Sequence, residues 1–163
     1  PKYIANYPSI ARSYGEEIAN QYLVPVKSMI DAGIHVAFEL DRDAYVWSDL
    51  EMLITRMVDG NVFGAHERID RVTALKMLTI WGAEYVLREN QLGSIEPGKL
   101  ADLVVLDRDY MTIPEKEIAK IQALMTILGG ETMYVHSDFA AEADIRPDNA
   151  VISTYQALKD RAN

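Results

Sequence analysis

In the first half of the chain, apolar residues recur at helical spacing. Ile18, Tyr22, Val26, Met29 and Ile30 fall on one stripe and predict helix over residues 14–32. Pro25 interrupts that stripe, because its ring removes an N–H and crowds the preceding turn, so the pattern predicts two short helices. Asp31-Ala32-Gly33 is a stop signal with glycine where a left-handed residue is wanted. The spacing then changes. Ile34-His35-Val36-Ala37-Phe38 is short, mostly apolar, β-branched and aromatic, the pattern of a strand buried on both faces of a parallel sheet. Beyond it, Leu50, Leu53, Ile54 and Met57 predict a helix opened by Ser48 and running to about Met57, closed by the turn Asp59-Gly60-Asn61. Asp70 reads as the N-cap of a further helix in which Ala74, Met77 and Trp81 form one stripe and Leu75, Leu78 and Gly82 an adjacent one.

From about residue 100 the helical period is lost. Leu103-Val104-Val105-Leu106 reads as a strand, residues 113–118 as a short helical turn, and residues 123–127 as a second strand. Gly129-Gly130 joins that strand to a third run over residues 132–135, a hairpin signal. The stretch from Ser137 is polar, broken at Arg146-Pro147-Asp148, with a final helix expected over about residues 153–161. The chain shows no repeat and no low-complexity tract.

Composition narrows the class. With 163 residues, 49% hydrophobic and 25% charged, the chain can bury a real core. A net charge of −9 opposes binding to phosphate backbones, which needs clustered Lys and Arg, so nucleic acid is excluded as an expected partner. No apolar run approaches the roughly 18 residues of a membrane span, and no membrane partner is expected. The absence of cysteine rules out disulfides and thiolate metal sites and agrees with a cytoplasmic setting.

The most informative run is residues 93–109, Gly-Ser-Ile-Glu-Pro-Gly-Lys-Leu-Ala-Asp-Leu-Val-Val-Leu-Asp-Arg-Asp, a tight turn feeding a strand. It resembles the segment leading out of the catalytic barrel in the amidohydrolase superfamily. Residues 29–38, residues 68–75 and the runs 111–114 and 125–130 resemble the same superfamily, in the branch that includes N-substituted formamide deformylases. The resemblance spans about residues 23 to 135. It implies an α/β fold comprising the last strand and helices of a TIM-type (β/α)8 barrel plus C-terminal strands of the accompanying small β-sandwich. On that basis residues 1–90 are the end of the barrel, 91–136 the sandwich strands and 137–163 a tail with a helix. The chain is then expected to be the C-terminal part of a larger hydrolase.

The resemblance also implies chemistry. Enzymes of this superfamily hold one or two divalent metals, usually zinc, whose bound water becomes a nucleophile near neutral pH. An aspartate ending the eighth strand takes the proton of that water and passes it to the leaving nitrogen. The family pattern Phe-Gly-Ser-Asp is matched by Phe38-Glu39-Leu40-Asp41, so Asp41 is the residue onto which the catalytic and metal-binding aspartate maps. Glu39 and Leu40 depart from the two small residues of the family. Asp43, two positions on, would point to the same side of an extended strand, and a solvated turn is the bland alternative for both. Most metal ligands would lie on strands outside this chain, so the chain alone is expected to hold little or no metal and to be inactive.

Tyr45 and Trp47 follow Asp43 directly and could line a pocket for an apolar group, or pack against the next helix. His66 is a loop candidate for touching substrate, whereas His35 reads as a packed or hydrogen-bonded histidine and His136 as a surface residue. None matches a family ligand position. Lys99 and Asp102 are expected to pin the turn at 93–102 by local hydrogen bonds, without a role in chemistry. The methionines sit at core spacing.

Two readings of function follow. In the first, the chain is part of a metal-dependent amidohydrolase that cleaves a non-peptide carbon–nitrogen bond of a small amide-type substrate, its partner being the N-terminal part of the same enzyme. In the second, it is a non-catalytic association module, since one barrel strand cannot close a barrel and its edges would be exposed or paired. Both readings lead to an expected homo-oligomer.

Overall fold

The computed structural model describes residue 4, residues 6–40, 45–154, 156, 157 and 160. The fold is mixed α/β, with helices in the first half and a small sheet in the second.

Helix α1 (Tyr7–Tyr14) and helix α2 (Glu16–Tyr22) are separated by Gly15 and pack on each other, burying Tyr7, Ala19 and Leu23. Tyr7 also stacks on Phe63, with ring centroids 4.5 Å apart. Helix α3 (Val26–Asp31) starts immediately after Pro25, so the two predicted short helices form as α2 and α3. Its end is a Schellman cap. The Gly33 amide donates to the Ile30 carbonyl (2.8 Å) and the Ile34 amide to the Met29 carbonyl (3.1 Å), with Gly33 at φ 85°.

Residues 34–40 do not form the expected buried strand. Ile34 is 48% exposed, and the segment carries no sheet pairing among the described residues. Its backbone tie to another element is the Phe38 amide donating to the Met77 carbonyl at 3.0 Å. The physical reason is that a strand exists only through its ladder, and no described strand lies alongside it to supply one.

Helix α4 (Val46–Thr55) begins two residues before Ser48, whose hydroxyl instead turns back onto the Tyr45 carbonyl at 2.8 Å. Arg56, left-handed at φ 55°, ends the helix. A hairpin of β1 (Met57–Val58) and β2 (Asn61–Val62) follows, turned by Asp59-Gly60 with both φ values positive, the two-residue connection that suits strand twist. Asp70 caps helix α5 (Arg71–Leu78), accepting from the Thr73 amide at 2.9 Å. The predicted single helix is broken at Thr79 (φ −118°, ψ −97°), and helix α6 (Ile80–Tyr85) continues from there. Ala74, Met77 and Trp81 are nevertheless all buried, as their shared stripe requires.

The sheet runs β3 (Leu103–Leu106), β4 (Ala123–Leu128), β5 (Glu131–His136), β6 (Val151–Ser153) in spatial order. The first three strands are antiparallel, with Leu128 opposite Glu131 across the Gly129-Gly130 turn. Strand β6 adds to β5 in parallel, after helix α7 (Ser137–Glu142). A three-residue strand is too short to show a period, which is why β6 has no clear sequence signal. Of the final helix, the described residues 156, 157 and 160 are helical and the rest lie outside the described set.

Residues 107–121 form a strap between β3 and β4, including a 3-10 turn over Glu115–Lys120. It carries Tyr110, Ile118 and Ile121 into the same core as Trp47, Leu50, Leu53, Ile54, Ala74, Met77 and Trp81. This core joins helices α3 to α6 to the strap, with Leu106 of β3 packed against it.

Candidate active site

Asp41 and Asp43 lie outside the described residues, but the chain on either side of them is held. Upstream is the Phe38–Met77 bond. Downstream, the Tyr45 hydroxyl donates to the Ile121 carbonyl. The Trp47 ring meets the Tyr110 ring at 5.8 Å and 45°, and the Glu51 carboxylate accepts from the Ala119 amide at 2.8 Å. Three successive contacts thus seat α4 on the strap. Tyr45 and Trp47 are brought together in the main core, Trp47 as one of its buried members.

The strap has its own anchors. The Arg71 guanidinium donates to the Tyr110 and Ile113 carbonyls, and the Tyr110 hydroxyl donates back to the Arg71 carbonyl at 2.9 Å. Burial pushes the Tyr110 phenol up to about 12, against the opposing pull of the Arg71 charge, so it stays a neutral donor. Asp107 accepts from the Gln122 amide at 2.8 Å, closing the strap at its base.

His66 belongs to a different neighbourhood. It sits exposed on the 3-10 turn Ala65–Glu67, 3.8 Å from the buried Glu67 carboxylate. Glu67 accepts from the Ser28 amide at 3.0 Å and from the Ser28 hydroxyl. Burial raises the Glu67 pKa, but the Ser28 hydrogen bonds and the neighbouring His66 outweigh it and hold the carboxyl below its ordinary range. Beside it, Arg56 is fully buried and donates to the carbonyls of Phe63 (2.9 Å), Val24 (3.1 Å) and Leu23 (2.8 Å). Burial lowers the Arg56 pKa, opposed by the charge of Glu67. Arg56 and Glu67 had no sequence signal as structural groups. A basic residue at a helix end ordinarily reads as a solvated partner of the helix dipole, and Glu67 as a loop residue.

His35 stacks on Trp81 (4.6 Å, 16°) and its Nδ1 lies 2.5 Å from Glu84 Oε2, so it is the packed and hydrogen-bonded histidine expected. His136 is half-buried at the end of β5. Among the described residues, no group of three or more His, Asp or Glu side chains is placed to hold a metal ion. The described part of this chain therefore does not fit a metal centre on its own. No described helix is long and apolar enough to cross a membrane.

Among the described residues, two surface cavities are formed by other side chains. One of about 360 Å³ is lined by Tyr7, Pro8, Ala11, Arg12, Glu16 and Phe63. A second of about 270 Å³ lies between α3 and the start of α5, where Lys27, Asp31, Arg68 and Asp70 meet. Neither lining includes Tyr45, Trp47 or His66.

The turn that carries the sequence resemblance is a packing device. Gly93, at φ 87°, lies so close to α6 that an added Cβ would stand 2.7 Å from Ile80 Cα and 2.9 Å from Ala83 Cβ. Lys99 reaches Ser94 Oγ (2.5 Å) and the Leu92 carbonyl (3.4 Å), the local pinning expected of it. Asp102 does something else, accepting from the Gly129 amide at 2.7 Å and so tying this turn to the β4–β5 hairpin.

The chain is 36% identical over 124 residues to an N-substituted formamide deformylase of Arthrobacter pascens, covering 74% of this chain and 23% of that protein. It is 37% identical over 136 residues to a 5-methylthioadenosine/S-adenosylhomocysteine deaminase of Thermodesulfovibrio yellowstonii, covering 71% and 31%. An imidazolonepropionase of Bdellovibrio bacteriovorus is 31% identical over 93 residues, 55% of this chain and 20% of that protein. The chain thus spans less than a third of each of these relatives. A sequence profile described as the Amidohydrolase family matches residues 2–134, taking in α1 through most of β5 together with the Gly93 turn and the strap, and the chain belongs to that family.

Proposed function

We propose that this chain is the C-terminal portion of an amidohydrolase that hydrolyses a non-peptide carbon–nitrogen bond in a small amide-type molecule. The observation that carries the reading is the family match over residues 2–134, joined by relatives named as a deformylase and a deaminase. Residues 1–90 would contribute the end of a (β/α)8 barrel, 91–136 strands of the adjoining sandwich and 137–163 a tail. In a barrel of this kind the reacting groups stand at the C-terminal ends of the strands, which is where Asp41 follows residues 34–38.

In this reading Asp41 accepts the proton of the attacking water and returns it to the leaving nitrogen, a carboxylate suited to both steps because it ionises well below neutral pH. The divalent metal that the family resemblance implies, zinc by that resemblance, would need ligands beyond the described residues, with Asp41 as one of them. Asp43 is the candidate for substrate contact next to Asp41, and His66 a second one on a separate turn, while Tyr45 and Trp47 would back the site from the core. The setting we propose is cytoplasmic.

The test uses the polypeptide as the cell makes it. Its mass, read with an antibody against residues 93–109, should exceed that of this chain by about a barrel's worth of residues, roughly 250. Turnover of an N-substituted formamide, followed as formate release, should fall at least about 10³-fold in Asp41→Asn, the scale of losing a general base. A polypeptide of this chain's own size, or full turnover in the variant, would sink the reading.

A second reading, an association module, draws on the exposed apolar side chains at the α6 end and the following turn. Leu87 and Ile95 are each 87% exposed. Surface of that kind marks an interface, and either the rest of the same enzyme or a second copy would cover it. Covalent mass distinguishes the two, since a native polypeptide of this chain's own size that self-associates is expected only for the second.

A further inference from the structure

Helices α3 and α6 end in the same kind of cap, but the residue at its left-handed position differs. At the end of α3 it is Gly33. At the end of α6 the Leu87 amide donates to the Glu84 carbonyl (2.9 Å) and the Arg88 amide to the Ala83 carbonyl (2.8 Å), with Leu87 at φ 57°. A leucine in this conformation crowds its Cβ against backbone where glycine would not. Packing could offset that strain, yet Leu87 is 87% exposed.

We propose that Leu87, with Tyr85, Val86 and Ile95, is a docking surface for the N-terminal remainder of the same polypeptide, which covers it with apolar side chains and brings a hydrogen-bond donor to Glu89. This rests on the reading of the chain as the C-terminal portion of a larger enzyme.

Three observations carry it. The first is extent. Tyr85 is 80% exposed, Val86 54% and Ile95 87%, so with Leu87 four large apolar side chains face water between residues 85 and 95. Surface of that kind marks an interaction site.

The second is that the surface is built before anything covers it. Gly93 lies against α6, and the Leu92 amide donates to the Arg88 carbonyl and the Leu100 amide to the Gln91 carbonyl, each at 2.9 Å. The turn bearing Ile95 is thereby fixed to the helix end bearing Leu87. A covering segment meets groups that are already ordered, which lowers the entropy lost on docking.

The third is an orphaned acceptor in the same stretch. Glu89 Oε2 is buried and has no hydrogen-bond partner among the described residues. A carboxylate oxygen kept from water ordinarily accepts from at least one donor. An arginine, a lysine or a backbone amide of the covering segment supplies it.

The size of the surface selects the occupant. Four side chains of this kind offer on the order of 500 Å², short of the roughly 800 Å² per partner of a stable association between free molecules. A tethered segment needs less, because the chain that joins it sets a high effective concentration. The relatives have chain to supply one, since this chain spans 23% of the deformylase and 31% of the deaminase.

The test uses the polypeptide as the cell makes it, and two substitutions are read by the sign of their effect on the urea midpoint. Leu87→Gly relieves the left-handed strain in every case. If the side chain is covered, lost packing outweighs that relief and the midpoint falls; if it faces water, the midpoint rises. Glu89→Met, of similar size, lowers the midpoint if the carboxylate holds a donor and raises it if Oε2 has none. Two falls are expected, and a rise in either would overturn the proposal. Ile95→Cys gives a reading that does not depend on stability, and this chain has no other cysteine. Its labelling by iodoacetamide, located by mass spectrometry, should be at least about tenfold slower in the native polypeptide than in urea, at every protein concentration. Equal rates would overturn the proposal. Protection lost on dilution would assign the surface to a second copy and overturn it too. A native polypeptide of this chain's own mass would defeat the reading on which the proposal rests. That failure is separable, because mass is read on the denatured polypeptide.

Discussion

Residues 91–107 and residues 34–40 are both strongly patterned, and they come to different ends. The first run closes on itself and on its neighbours: the Leu100 amide donates to Gln91, Lys99 to Ser94, and Asp102 accepts from the Gly129 amide. The second has the composition of a core strand but makes one backbone hydrogen bond to another element, at Phe38, with His35 side-chain contacts to α6, and leaves Ile34 half exposed. Backbone polar groups must be paired wherever they are buried. A segment whose partners are near in sequence can meet that demand within this chain, whereas one with no described strand beside it cannot.

The sharpest way to break the well-closed region is at Gly93. Gly93→Ala would drive a Cβ to 2.7 Å from Ile80 Cα while holding φ at 87°. Overpacking against backbone costs about 3 kcal/mol and a left-handed alanine about 1 more. Unfolding in urea should therefore show a loss of about 4 kcal/mol. Gly98→Ala is the control, since its φ of 91° is similar but open space surrounds it, and about 1 kcal/mol is expected there. Equal losses at the two positions would mean that backbone freedom, not close approach to α6, is what the first glycine supplies.

Next in size is the buried knot around Arg56. Arg56→Met removes the donor that serves the Leu23, Val24 and Phe63 carbonyls and leaves Glu67 without its neighbouring charge. About 3 kcal/mol should be lost, the scale for leaving buried carbonyls unpaired when a charged donor is removed. The same knot predicts a pH dependence. The Glu67 carboxyl is held below its ordinary value of 4.5, so its contribution is complete above that pH and disappears as pH falls through the lower, folded value. In Glu67→Gln the stability difference from the parent should be constant near neutral pH and shrink below about pH 4.5, read from urea midpoints across pH. A difference that grew on acidification would mean the folded carboxyl is the weaker acid.

What could be read in the sequence tracks the same contrast. The α2–α3 break at Pro25, the Gly33 cap, the Asp70 cap and the Gly129-Gly130 hairpin all depend on residues within a few positions of one another, and all formed. The misses depend on distance. Thr79 breaks a helix whose stripe was continuous, and that stripe is preserved because Trp81 still turns into the core. Arg56 reached three carbonyls on segments no local pattern connects to it. For the candidate site, the family resemblance pointed to Asp41, and no spacing rule could have shown that Tyr45 would spend its hydroxyl on Ile121.

The smallest effect sharpens the comparison from its weaker side. Ile34 is 48% exposed in this chain, so Ile34→Ser forfeits only about half of the burial energy of an isoleucine, about 1 kcal/mol. If residues 34–38 complete a parallel barrel in the whole polypeptide, both faces of that strand are covered. The same substitution there should cost about 3 kcal/mol, since cavity formation adds to lost transfer energy. The quantity of interest is the difference between the two losses, each measured from urea midpoints against its own parent. A gap of about 2 kcal/mol would mean that Ile34 becomes buried only when the rest of the enzyme is present. Equal losses would mean that the exposed face of residues 34–40 stays exposed, and that this run was never the core strand its composition suggests.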